Sequence, residues 1–316
     1  MVPTEMMPRW ISRVLLGLIL LLMCGGAPGD VFSSEVVIRS DHQFAFARQF
    51  LDRGDYPAAA AEFERFRYFF PDDPRGDEAL YLIGFCRLRE GRHDEARTLF
   101  GRLVNEGADP SLAARAMFMA GESYYEEGRM EEASAVFEEV VRRYPGLEIK
   151  NAALYRLGWV DLRRDQWEEA SASFEGVSPE SPLYGRAGLL AGESLKGPEL
   201  PWKEPSTAGV LAAVLPGAGH AYVGRWKDGL VALLLNGVFI WAAVEAFDSD
   251  QDVLGGILAF LEVGWYSGNI YSAVNAAHKY NRKVRDDFRK GLDERLDLRL
   301  FTGGGGAVGL GVSWRF

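Results

Sequence analysis

Cysteine is almost missing from this sequence: the 316 residues contain only Cys24 and Cys86. A disulfide-stapled scaffold and a cysteine-based metal site are therefore excluded, and Cys86, inside a helical pattern, reads as a small buried hydrophobe. Histidine is scarce as well. His42, His93, His220 and His278 stand far apart, whereas metal binding and acid–base chemistry need several such groups together, so His220 is expected to be a plain turn residue. No G-x-S-x-G, Walker or H-E-x-x-H pattern occurs. The sequence thus implies no catalytic residue, no metal and no cofactor. Positive charge is in deficit too: a net charge of −10 and an isoelectric point near 5.1 argue against a clustered basic surface for nucleic acid.

What is present begins with a targeting pattern. Arg9 and Arg13 precede an apolar stretch from Val14 to Met23, and small residues follow through Ala27 and Gly29. That order predicts a secretory signal peptide over residues 1–29. Acylation of Cys24 is the alternative, against which Met23 occupies a position where a bacterial lipobox needs a small residue.

Beyond it, self-similarity dominates. The segments RGDYPAAAAEF, EGRHDEARTLF, EGRMEEASAVF and RDQWEEASASF begin at Arg53, Glu90, Glu127 and Arg164, a constant interval of 37 residues. Each predicts a helix pair joined at Gly54, Gly91, Gly128 or Asp165. The second helix carries a small residue and an aromatic four positions on: Ala59 and Phe63, Ala96 and Phe100, Ala133 and Phe137, Ala170 and Phe174. That spacing puts both on one helix face, the alanine admitting a neighbour and the ring filling the groove. Gly84, Gly121 and Gly158 mark where the partner helix crosses, and Pro71, Pro145 and Pro182 close the units. RAGLLAGES at 186–194 echoes RAMFMAGES at 115–123 and adds a half repeat, so four repeats and a half are expected over 30–197.

This order of small residue, aromatic and closing proline resembles the tetratricopeptide repeat, at a period longer than the family's usual ~34 residues. It is similar to the bacterial envelope members that include the outer-membrane assembly lipoprotein and the Tol-Pal coordinator. The resemblance implies a superhelix whose inner groove takes a protein or peptide partner. Tyr81, Tyr124, Tyr125 and Tyr155, all on first helices, are the candidate groove residues, with core packing as the alternative for each. Glu131, Glu132, Glu138, Glu139, Glu168 and Glu169 read as the solvated face of second helices.

A proline-bearing linker at 198–207 leads to an expected membrane helical domain over 208–292. Its apolar segments 229–247 and 253–277 are long enough for ~30 Å of hydrocarbon at ~1.5 Å per residue. Glu262 should face between helices, and Gly264 and Gly268 offer close-packing positions. The run LPGAGHAYVGRWKDG before the first segment resembles the P-G-x-G-x-x-Y-x-G-x-x-x-x-G turn of small bacterial proteins with a two-transmembrane-helix domain. It matches at Pro216, Gly217, Gly219, Tyr222, Gly224 and Gly229. The resemblance implies a turn seated at the membrane surface and no activity. Arg225, Lys227, Lys279, Arg282, Lys283 and Arg285 flank the outer ends of this hairpin, while Asp248, Asp250 and Asp252 occupy its loop. The positive-inside rule would place those ends in the cytoplasm, whereas the signal exports the repeats. A third passage through 208–222 would reconcile the two, so three passages are expected.

At the C-terminus, leucines alternate at Leu296, Leu298 and Leu300, and Val308, Leu310, Val312, Trp314 and Phe316 share one face after a glycine run, predicting a β-hairpin over 293–316. The expected fold class is mainly α: a tetratricopeptide-type helical solenoid, then a transmembrane helical hairpin and a short C-terminal β-hairpin. The expected role is a non-enzymatic scaffold of the bacterial cell envelope, with periplasmic repeats binding a protein or peptide partner and a hairpin in the inner-membrane lipid bilayer. The alternatives are an outer-membrane assembly factor and an accessory subunit of a membrane enzyme or transporter that uses Glu262.

Overall fold

The computed structural model describes residues 38–296, 299–302 and 308–311. The chain divides into two compact units, Met1–His42 and Gln43–Phe316. The expected signal at 1–29 lies outside the described residues.

Helices form in pairs: α1 (Ser40–Asp52) with α2 (Tyr56–Phe69), α3 (Gly76–Arg89) with α4 (His93–Asn105), α5 (Pro110–Glu126) with α6 (Met130–Arg143), and α7 (Ile149–Arg163) with α8 (Trp167–Glu175). Where starts are capped, the chemistry is local. The Asp55 carboxylate accepts from Ala58 N–H and Asp109 from Ser111 and Leu112 N–H, with a proline in the first turn of each helix. Every pair closes through the same turn. The amides of Asp55, Arg92, Arg129 and Gln166 donate to the carbonyls five residues back, at 2.9, 2.8, 2.9 and 2.9 Å. The residue before each donor is left-handed: Gly54, Gly91 and Gly128 at φ 75°, 75° and 78°, then Asp165 at 62°. Glycine adopts that conformation freely, whereas an L-residue with a Cβ is strained by ~1–2 kcal/mol, so the fourth repeat carries a cost the others lack.

Packing follows the sequence period. Ala59, Ala96, Ala133 and Ala170 are fully buried beside Phe63, Phe100, Phe137 and Phe174. A Cβ built on Gly84, Gly121 or Gly158 would lie 2.7, 2.5 or 2.6 Å from the ring of Phe100, Phe137 or Phe174, so each of these glycines admits the ring of its partner helix. Helix α9 (Tyr184–Ser194) covers α8 as the half repeat, and no second helix follows it. Instead a single 3-10 turn, Gly197–Glu199, abuts Trp167.

The chain continues as α10 (Pro205–Val214), α11 (Ala218–Tyr222), α12 (Trp226–Asp248) and α13 (Asp252–Leu296). Helices α12 and α13 form an antiparallel hairpin, with Phe239 stacked on Trp265 at 6.5 Å. The far end of α13 then returns to the repeats, where Phe288 meets Trp167 edge to face at 5.9 Å and Leu292 is buried in the repeat core.

The fold class is corrected at its C-terminus to a mainly α solenoid. Residues 293–296, assigned to the β-hairpin from their alternating leucines, continue α13, and there is no strand among the described residues through Leu296. Among the described residues, extended pairing is confined to two four-residue segments, Arg299–Thr302 and Val308–Gly311. An isolated pair that short is too small to stand as a folding element, and 312–316 lie outside the described residues.

Candidate functional site

The four tyrosines are not equivalent. Tyr81, Tyr125 and Tyr155 are buried, Tyr155 completely. Tyr81 packs on Phe100 at 5.7 Å, and Tyr155 on Phe174 at 5.5 Å. Burial pushes the Tyr81 and Tyr125 hydroxyls up to about 12, and it does the same to the Cys86 thiol, so that thiol stays protonated and unreactive at neutral pH. Of the four, only Tyr124 is partly exposed. Its half-buried ring lies between the guanidiniums of Arg97 at 4.3 Å and Arg129 at 4.7 Å. Arg97 is itself held by Asp94, Glu127 and the Ser123 hydroxyl. Beside it, a buried pair joins Arg156 of α7 to Glu122 of α5 at 2.8 Å. Such a pair fixes neighbouring repeats in register, because loss of one partner strands a buried charge. None of these arginines was singled out by the sequence pattern, which reads apolar and small positions.

A second constellation joins the repeats to the apolar helices. Asp165 pairs with both Arg285 and Arg289 of α13. Arg285 also lies over Trp202, and the Asn281 side chain donates to the Lys203 carbonyl and accepts from the Lys203 amide, each at 2.8 Å. The linker is thus fastened to α13 at Trp202 and Lys203.

The turn motif occupies the next layer. Gly217 is left-handed at φ 88°, and a Cβ there would stand 1.9 Å from the Gly229 carbonyl oxygen. A Cβ on Gly219 would meet the Ala208 carbonyl oxygen at 2.1 Å. These two glycines bring α10, α11 and α12 into backbone contact. The Tyr222 hydroxyl accepts from the Glu204 amide at 3.1 Å, which ties α11 to the residue that precedes α10. His220 is more than a turn residue: it is 4% exposed, with Nε2 3.1 Å from the Ser272 hydroxyl of α13.

The expected third passage at 208–222 is not one continuous helix. Helix α10 has ten residues, about 15 Å of rise, and the chain turns at Pro216 and Gly217 before the five-residue α11. Two helices, Trp226–Asp248 and the one starting at Asp252, are long and apolar enough to cross a membrane. They leave Phe260, Val253 and Trp241 exposed at 80%, 80% and 66%. Among the described residues no cluster of His, Cys, Asp and Glu could hold a metal ion.

Paired helices closed by a recurrent left-handed turn, with a small residue against an aromatic at each crossing, define a helical-repeat solenoid. The Tetratricopeptide repeat family matches residues 44–113 and 87–148, so this part of the chain carries tetratricopeptide repeats. No curated protein matches significantly. Among solved structures, a tetratricopeptide repeat protein from Parabacteroides merdae is 16% identical, with 80% of this chain and 98% of that one covered at a TM-score of 0.40. A TPR repeats protein from Bacteroides fragilis is 12% identical, with 81% and 99% covered at a TM-score of 0.32. The repeat assignment rests on the family match and on the 37-residue geometry.

Proposed function

We propose that this protein is a non-enzymatic, membrane-anchored scaffold of the bacterial cell envelope. Its tetratricopeptide repeats engage a protein partner, as such repeats generally do, and the α12–α13 hairpin holds them at the periplasmic face of the inner membrane. The observation that carries the reading is the union of two features: a repeat solenoid, and a helical hairpin whose large apolar side chains face outward, where water would penalise them. The signal pattern of residues 1–29 supports export of the repeats. The anchor is tested by carbonate extraction of membranes containing the full chain. The protein should stay in the pellet, and release into the supernatant would overturn the anchored reading. The partner is sought by placing a photocrosslinking amino acid at Tyr124 and at exposed Glu168; a crosslinked species specific to position 124 is expected, and equal products at both would count against the groove.

A further inference from the structure

A cavity of about 530 Å³ lies among α11, α12 and α13, lined by His220, Arg225, Asp228, Leu235, Trp265 and Asn269 together with Ser272 and two glycines. Its lining is graded. The α12 side runs from Asp228 to Leu235 and the antiparallel α13 side from Ser272 to Gly264, each about 10–12 Å at ~1.5 Å per residue. Charged and polar groups crowd the end nearest the repeats, and apolar ones the end inside the hairpin. Gly264 and Gly268, expected to be close-packing positions, meet nothing within 4 Å; they hold the cavity open instead.

Two side chains here have polar atoms without a partner. Asn269 is 7% exposed with neither its Oδ1 nor its Nδ2 bonded, and the 4%-exposed His220 has an unbonded Nδ1. Leaving such groups unmade costs roughly 1–3 kcal/mol each, and an apolar residue would remove that cost. At the mouth, Arg225 and Asp228 pair at 2.6 Å and set one cation beside one anion.

We propose that this cavity binds one phospholipid whose head carries both a phosphate and an ammonium group. The phosphate sits at Arg225 and the ammonium at Asp228. An ester carbonyl accepts from the Asn269 amide, and an acyl chain runs along Leu235 and Trp265. The polar-to-apolar gradient matches such a molecule entering from the leaflet on the side of the repeats. With an anionic head, Arg225 alone would face two anions, the phosphate and Asp228, which disfavours a lipid bearing phosphate alone. The inference rests on the membrane reading of the hairpin.

The test uses the full chain purified in mild detergent, followed by native mass spectrometry after titration with phosphatidylethanolamine or phosphatidylglycerol. One phosphatidylethanolamine per chain should be retained, at about tenfold or better preference over phosphatidylglycerol. Asn269→Leu should weaken retention about tenfold while keeping the helical circular dichroism, because it removes an unsatisfied group. Gly268→Leu should abolish retention by filling the cavity, since the space around a Cβ there is empty to 4 Å. Equal retention of both lipids, or retention unchanged in both variants, means annular lipid only and overturns the site, as does the absence of any bound lipid. Carbonate extraction separates the two readings: a chain that stays in the pellet without retaining the lipid loses the site alone, whereas release from the membrane removes the anchor and the site together.

Discussion

At the scale of single residues, identity and environment give opposite answers for glycines that look alike in sequence. Gly121 faces the Phe137 ring at 2.5 Å from a would-be Cβ, whereas Gly101, inside α4, has nothing within 4 Å. Gly121→Ala should therefore overpack the α5–α6 crossing and destabilise the repeats by ~1–3 kcal/mol. Gly101→Ala should stabilise them by ~0.5–1 kcal/mol, because alanine loses less freedom in a helix. Thermal melts followed by circular dichroism check the pair, and shifts of the same sign would contradict the packing described. The Gly121 contact was legible in the sequence because it recurs with the period, at Gly84 and Gly158. The Asn269 and His220 environment was not: nothing in a 37-residue repeat or an apolar run marks which polar residue ends up opposite which.

At the scale of elements, the four turns show what a repeat pattern can and cannot tell. The position of Asp165 is legible, since it falls where Gly54, Gly91 and Gly128 stand. Its reason is not, because Arg285 and Arg289 lie 120 and 124 residues away in the chain. An Asp in a left-handed turn that binds two arginines is explained by the partner helix and by no property of its own repeat. Asp165→Asn keeps a residue tolerant of the left-handed conformation and removes the charge. It should loosen the end of α13 by about 1–2 kcal/mol, given two charge-assisted contacts of partial exposure. Amide hydrogen exchange should then quicken across 285–292 while α3 to α6 keep their protection. Unchanged exchange over 285–292 would mean that Phe288 and Leu292 hold the helix without the ion pairs. The helix also runs to Leu296, past the boundary at 292 that the alternating leucines suggest, because so short an alternation does not distinguish a strand from the last turn of a helix.

At the scale of the whole molecule, the contacts between repeats and hairpin restrict topology more than composition does. Phe288 on Trp167, Leu292 in the repeat core and Asn281 on Lys203 hold the outer end of α13 against the repeats and the linker. Tyr222 bonded to Glu204 puts the start of α12 there as well. On the membrane reading proposed above, the hairpin would enter and leave on one side with Asp250 on the other, in two passages. Lys150→Cys, Asp250→Cys and Lys283→Cys, each in a chain without Cys24 and Cys86, can be exposed in spheroplasts to a membrane-impermeant maleimide. Positions 150 and 283 should behave alike and 250 oppositely, whereas labelling at 150 and 250 with protection at 283 would restore the third passage. The same experiment fixes orientation. Flanking arginines and lysines favour the cytoplasm by the positive-inside rule, and the signal pattern favours export. Two of those cations are paired in the fold, Arg285 with Asp165 and Arg225 with Asp228, and the first pair forms only when α13 meets the repeats, so it still bears on insertion. With the repeats exported, the signal must override that charge bias, and the prediction is labelling at 150 and 283 with protection at 250. Protection at 150 and 283 with labelling at 250 would keep the two-passage hairpin and move the scaffold to the cytoplasmic face.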